Sequence, residues 1–180
     1  MDNRYTDITP EIQAAEAAKS GSKEAFCELY GKYKDKLYRY ALYRLGDSTE
    51  AEDAVSECVL SAWQGIAGLR KPEAFGAWIF RILHICCTKR INDSVKRREN
   101  MQRIYAESGP GSAAGSSPAS LSVELKEALS QLSEEDRTIV LFSVLGDLTS
   151  REISDITGIA PGTVRSRLSR SLAKMRAYLS

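Results

Sequence analysis

Apolar residues recur at helical spacing through the first hundred positions. Phe26, Leu29, Tyr30, Tyr33, Leu37, Tyr40 and Ala41 form one stripe, Ala51, Val55, Cys58 and Ala62 a second, and Phe75, Trp78, Ile79, Ile82 and Leu83 a third. No period-two run competes with them, so the pattern predicts amphipathic helices packed as a bundle. Thr9-Pro10 marks an expected helix start, Gly46-Asp47 a stop, and Lys71-Pro72 a loop before the next helix.

The pattern breaks between Ser108 and Ser122, where SGPGSAAGSSPASLS carries no charge and offers almost nothing to bury. This stretch divides the chain into a first helical domain over 1–107, a flexible linker over 108–122 and a second helical domain over 123–180. A coil of that length spans roughly 20 Å and stretches to about 50 Å, so the blocks can occupy separate places on one partner. A single packed unit is the alternative. After the joint, helices are expected over Val123 to Leu132 and Asp136 to Leu145, followed by a final pair, with Ser133, Gly146 and Gly158 as separators. The fold class is all-α in two small domains.

The final pair carries the most specific local signal. Thr149-Ser-Arg-Glu152 has the form of a capping box, Gly158 suits the left-handed turn after it, and Pro161 suits the first position of the next helix. On that last helix Val164, Leu168, Leu172 and Met175 form the inward stripe. Gly162, Ser166, Ser169, Arg170 and Ala173 lie opposite, with Arg165 and Arg167 on the flanks. Small side chains permit close approach to a major groove, arginine bridges O6 and N7 of guanine, and Thr163 or Ser166 can bond a phosphate. Helix-turn-helix geometry also serves protein contacts, which is the bland reading of the same residues.

Two surfaces of the first block invite attention. With Ala51, Val55, Cys58 and Ala62 inward, Asp53, Glu57, Leu60 and Gln64 share the opposite face, and an apolar Leu60 stands among carboxylates. That face is either ordinary solvated helix or a docking patch for a basic and apolar partner. Downstream, Phe75, Trp78, Arg81, His84, Lys89 and Arg90 lie on or beside one helix, followed by Lys96, Arg97 and Arg98. Aromatic and basic side chains together suit unpaired DNA, whose bases stack on rings while phosphates meet cations; Phe75 and Trp78 are equally suited to the core.

Composition narrows the classes. The 180 residues carry a formal charge of only +1, so any duplex binding should be local or assisted by a partner. One histidine, no phosphate-cradling glycine loop and no C-x-x-C spacing leave no catalytic constellation, metal site or cofactor to name, so the chain is read as a non-enzyme. Cys27, Cys58, Cys86 and Cys87 are expected to be buried, reduced thiols. The opening MDNRYTDITPEIQ lacks a signal-peptide core and no stretch approaches the roughly 18 to 20 apolar residues of a span, so a cytoplasmic protein without membrane insertion is expected.

From about Ala25 to Leu179 the chain resembles the extracytoplasmic function (ECF) branch of the bacterial sigma-70 family. AEDAVSECVLSAW, from Ala51 to Trp63, is similar to the family's polymerase-binding helix, and FGAWIFRI, from Phe75 to Ile82, to the segment facing the minus-ten element. The stretch from Leu132 to Arg176 resembles region four, with GTVRSRL its most specific part. The resemblance implies a first domain that docks on the beta-prime clamp helices of RNA polymerase and opens minus-ten DNA. It implies a second domain that meets the beta flap and reads the minus-thirty-five element, and an anti-sigma partner that masks these surfaces. Asp53, Glu57, Leu60 and Trp63 would then meet polymerase; Phe75, Trp78, Arg81, His84, Lys89 and Arg90 the minus-ten DNA; and Thr163, Arg165, Ser166, Arg167, Ser169 and Arg170 the minus-thirty-five DNA. Ser56, Ile85 and Ala160 depart from the Gln, Asn and capping Ser often found in that family, and Ile85 cannot supply the hydrogen bonds of Asn. The rival expectation is a stand-alone helix-turn-helix regulator that occupies an operator without polymerase.

Overall fold

The computed structural model describes residues 4–105 and 122–180, and among these there is no strand. The first bundle comprises α1 (Arg4–Lys19), α2 (Lys23–Leu45), α3 (Ser48–Gly65) and α4 (Phe75–Tyr105), with short 3-10 turns at Ile66–Gly68 and Pro72–Ala74 between α3 and α4. The second comprises α5 (Val123–Ser130), α6 (Glu134–Val144), α7 (Ser150–Thr157) and α8 (Pro161–Leu179). The expected linker lies, apart from Ser122, outside the described residues.

Local chemistry sets the boundaries. Ser22 accepts the Ala25 amide at 3.2 Å to start α2, and Gly46 ends it in the left-handed region at φ 73°. Asp47 then caps α3 by accepting the Glu50 amide at 2.9 Å. The first helix departs from expectation: it begins at Arg4, and Pro10 sits inside it on the exposed side, where water can take the carbonyl that proline leaves unpaired.

α3 presents Ala51, Ala54, Cys58 and Ala62 inward, all fully buried, and these small side chains bring its backbone close to α2 and α4. The larger volume comes from its neighbours: Leu29, Leu37 and Tyr40 of α2, and Phe75, Ile79, Phe80 and Leu83 of α4, are sealed from solvent. Each such side chain stabilises the fold by about 1.5–3 kcal/mol through burial. Cys58, Cys86 and Cys87 lie in this core, whereas Cys27 is exposed, contrary to expectation. It follows Phe26 by one residue and is carried about 100° around the helix from the inward stripe.

In the second bundle the capping box is complete: Thr149 Oγ1 accepts the Glu152 amide at 3.3 Å, and Glu152 Oε2 accepts the Thr149 amide at 2.8 Å. Gly158 makes the turn at φ 75°, and α8 starts at Pro161 without a side-chain cap because Ala160 has nothing to offer. Val164, Ser171 and Met175 are buried, with Leu168 and Leu172 packed beside them.

The two bundles touch. Phe142 of α6 lies against Tyr40, the rings stacked at 5.1 Å, and its ring also meets Phe80 and His84 at 6.4 and 5.3 Å. Arg44, almost wholly buried, donates to Thr138 Oγ1 at 2.7 Å and pairs with the Glu134 carboxylate, while Lys36 reaches Asp147 at 2.6 Å. The two helical domains expected from the sequence are thus both present, and α6 of the second rests on α2 of the first. The sequence signal of that contact is the run Ile139, Val140, Leu141 and Phe142: all four are buried, more than one helix face can hide within its own bundle.

Gly146 offers a test of the α6–α7 turn. A Cβ there would stand 2.7 Å from the Phe142 carbonyl oxygen and 3.0 Å from Leu148 Cγ. That carbonyl is held by the amides of Gly146 and Leu148, so it cannot retreat freely. Gly146→Ala should destabilise the protein by about 1–3 kcal/mol in urea unfolding; an unchanged midpoint would show that the turn yields.

Candidate functional site

The exposed face of α3 follows from its buried one. Leu60 is 63% exposed, Asp53 is exposed beside it, and Glu57 is half-buried. This face is bound to α4 by charge: Arg90 reaches Glu50 at 2.8 Å, Glu57 at 3.4 Å and Asp53 at 3.8 Å, and Lys89 reaches Glu57 at 3.3 Å. Residues expected on two different surfaces thus form one ionic cluster between α3 and α4. Asp53, the most loosely held of the three carboxylates, and Leu60 remain available to an outside partner. Trp63 is half-buried with its ring edge-on to Phe26 at 5.3 Å, so part of it belongs to the bundle.

Along α4 the expected DNA-facing residues separate by depth. Phe75 is fully buried, edge-on to Tyr33 at 5.5 Å and tilted against Trp78 at 5.9 Å, which makes it core and removes it as a stacking platform. Trp78 is half-buried, while Arg81 and Lys89 are exposed. Ile85 is 58% exposed and so lies on the open side of the helix. From Val95 to Ile104 the helix is exposed, carrying Lys96, Arg97 and Arg98 as a cationic extension.

His84 sits beneath the second bundle. Its Nδ1 and the Tyr40 hydroxyl share a hydrogen bond of 2.9 Å, and its ring packs on Phe142. Burial, aided by the positive charge of Arg44, lowers its pKa to about 4, so the imidazole is neutral near pH 7. Burial likewise pushes the Cys87 thiol up to about 12, which leaves it unreactive.

On α8, Thr163, Arg165, Ser166, Ser169 and Arg170 are all exposed. Ser166 and Arg170 are partly satisfied by the helix itself, through Ser166 Oγ to the Thr163 carbonyl at 3.0 Å and Arg170 Nε to the Ser166 carbonyl at 3.3 Å. These weak local bonds are easily exchanged for a ligand. Arg167 differs: it pairs with the Glu135 carboxylate and lies 3.7 Å from Asp136, pinning α8 to α6. Its predicted reach to DNA is opposed by those two carboxylates. Sequence reasoning passed over Arg44 and Phe142; the available signal was a cation at i+4 from Tyr40 on the apolar stripe of α2.

Two families match the chain: Sigma-70 region 2 over residues 29–98, and Sigma-70, region 4 over residues 122–175. The ECF RNA polymerase sigma factor SigL of Mycobacterium tuberculosis is 30% identical over 180 residues, covering 93% of this chain and 94% of its own length. The ECF RNA polymerase sigma factor SigW of Bacillus subtilis is 28% identical, covering 89% and 92%. Two solved structures share the fold: CnrH in complex with the cytosolic domain of CnrY, with TM-score 0.68, 21% identity and coverage of 94% and 97%, and the sigma factor RpoE in complex with the anti-sigma factor NepR from Bartonella quintana, with TM-score 0.65, 22% identity and coverage of 86% and 96%.

The depressed pKa of His84 predicts a pH dependence. Between about pH 6.5 and 4 the unfolded imidazole takes up a proton that the folded one refuses, so this contribution to stability is full above that window and is lost as pH falls through it. The groups facing the ring are Tyr40 and Arg44 of α2 and Phe142 of α6, with Glu134 beyond Arg44. In urea unfolding at pH 7 and pH 5, His84→Gln should lose less stability on acidification than the parent chain. Equal losses would mean that His84 is solvated.

Proposed function

The chain belongs to the extracytoplasmic function (ECF) RNA polymerase sigma factors, and we propose that its two bundles divide the work of promoter recognition. It is a transcription initiation factor that binds core RNA polymerase and directs it to promoters. The first bundle docks on the polymerase clamp helices through Asp53, Glu57 and Leu60, with Trp63 at the margin, and offers Trp78 and Arg81 to the minus-ten DNA, while Lys89 and Arg90 stay tied to the carboxylates of α3 and His84 to Tyr40 and Phe142. The second bundle meets the flap and lays α8 into the minus-thirty-five major groove, with Arg165 and Arg170 at base edges and Thr163, Ser166 and Ser169 at phosphates. It acts in the cytoplasm and is not itself a catalyst; bond formation belongs to the polymerase. An anti-sigma protein, the kind of partner named for the RpoE neighbour, would mask the same surfaces.

One observation carries this reading: a single chain presents an apolar-acidic helix face on α3 and an exposed arginine-bearing recognition helix on α8, on separate bundles. The net charge of +1 fits a factor whose affinity comes first from polymerase, with tethering then raising the effective concentration of two weak DNA contacts. A stand-alone operator binder would need that affinity from α8 alone.

Leu60 gives the cleanest test, since its side chain is exposed whereas Glu57 also holds α4. Leu60→Asp should leave the unfolding midpoint nearly unchanged and weaken binding to core polymerase roughly tenfold or more; undiminished binding would remove α3 as the docking face. Arg165→Ala should lower promoter binding by the reconstituted holoenzyme about 5- to 100-fold without affecting core association. Equal promoter binding by both proteins would take Arg165 out of the recognition surface.

A further inference from the structure

We propose that Ile85 makes the open face of α4 selective for thymine, by taking the C5-methyl group of one unpaired thymine in the minus-ten strand. The inference rests on the assignment of that face to minus-ten DNA, and adds which base one of its side chains selects. At about 100° per residue, Trp78, Ile82, Ile85 and Lys89 of α4 fall within an arc of roughly 60°. Trp78 and Ile82 are half-buried, whereas Ile85 is 58% exposed. The apolar part of the strip therefore projects furthest at Ile85.

The charges around it suit a nucleic-acid strand. Arg81 is exposed one turn before Ile85, on the flank of the strip, and Lys96, Arg97 and Arg98 are exposed further along the same helix. Cations on both sides of an apolar step fit a phosphate backbone that passes over it with a base turned inward, Arg81 meeting the phosphate. The polar side chains a turn beyond Ile85 are committed: Thr88 accepts from Arg44 at 3.4 Å, and Lys89 donates to Glu57 at 3.3 Å. His84 faces Tyr40 and Phe142. Asn92, the next exposed amide on this face, lies two turns on, about 10 Å along the axis. A base seated on Ile85 is thus read by apolar contact. On their major-groove edges adenine and guanine present N7 and an exocyclic polar group, cytosine an amino group, and thymine O4 beside a methyl. Against a branched aliphatic side chain the polar edges lose water without gaining a partner, and only the methyl gains by being covered.

Holoenzyme reconstituted from the full chain and core polymerase is given promoter fragments randomised across the minus-ten segment, and transcript starts are mapped. The parent should enrich thymine at one position whose preference Ile85→Ala erases, while preferences elsewhere persist. Premelted templates with thymine or deoxyuridine at that position differ only by the methyl group. Parent holoenzyme should bind the thymine template about three- to fivefold more tightly, the value of one buried methyl. Ile85→Val should keep most of that ratio, Ile85→Ala should bring it to about one, and Ile85→Asn should move the preference toward adenine. Because Ile85 is exposed, all three variants should match the parent in unfolding midpoint and in core binding.

Equal affinity of the parent for thymine and deoxyuridine, a ratio that survives Ile85→Ala, or the lack of any position that responds to Ile85 would each overturn the contact. A chain that forms no holoenzyme, or a holoenzyme that starts on no fragment, would instead overturn the functional assignment, and the contact with it. A holoenzyme that starts on promoters yet treats deoxyuridine as thymine leaves that assignment standing and removes Ile85 alone.

Discussion

The close approach of α3 to its neighbours is the constraint from which the first bundle's surface follows. Ala51, Ala54, Cys58 and Ala62 leave no volume between backbones, so α3 sits deep between α2 and α4 and cannot rotate without creating voids or clashes. Its outward residues are fixed by that choice: Leu60 has nowhere to go but solvent. The same packing delivers α4 at a distance where Arg90 and Lys89 find the carboxylates of α3. An apolar constraint thus decides where the charges lie.

Cations that look alike along the chain end in different circumstances. Arg90 and Arg167 each bridge two helices through carboxylates, and Arg44 is buried at the seam, whereas Arg81, Arg165 and Arg170 are exposed. A bound carboxylate cancels the field an arginine would present to phosphate, and dissolving such a pair to bind DNA forfeits the helix contact as well. The effective basic surface is therefore smaller than the count of arginines suggests. With fewer cations left free, electrostatic attraction supplies only a modest share of any duplex affinity, and a second attachment has to supplement it.

Much of this was legible beforehand, and the misses have physical causes. The 3.6-residue period identified the inward stripes of α2, α3 and α4, and the signals at Gly46, Thr149, Gly158 and Pro161 located their turns because each acts within a few residues. The same period placed Leu60, Arg165 and Arg170 outward. Arg167 and Arg90 were read as free cations because their partners stand 32 and 33 to 40 residues away in sequence, beyond any local pattern. Phe75 was left between core and surface since an aromatic at a helix start fits both. The composition of the linker is silent on the packing of α6 against α2, because a polar, uncharged connection says how far two blocks can separate, not whether they adhere.

Arg44 shows what the seam between the bundles demands of a cation. Its side chain is 3% exposed, it bonds Thr138 and pairs with Glu134, and its Nε has no partner. A guanidinium held in low dielectric with one carboxylate favours a single register of α6 on α2, since any other would leave the charge without Glu134, and the unsatisfied Nε makes that register less stable than a fully paired one. The same contact hides Phe142 and the recess around Tyr40 and Phe80, apolar surface that would otherwise invite aggregation.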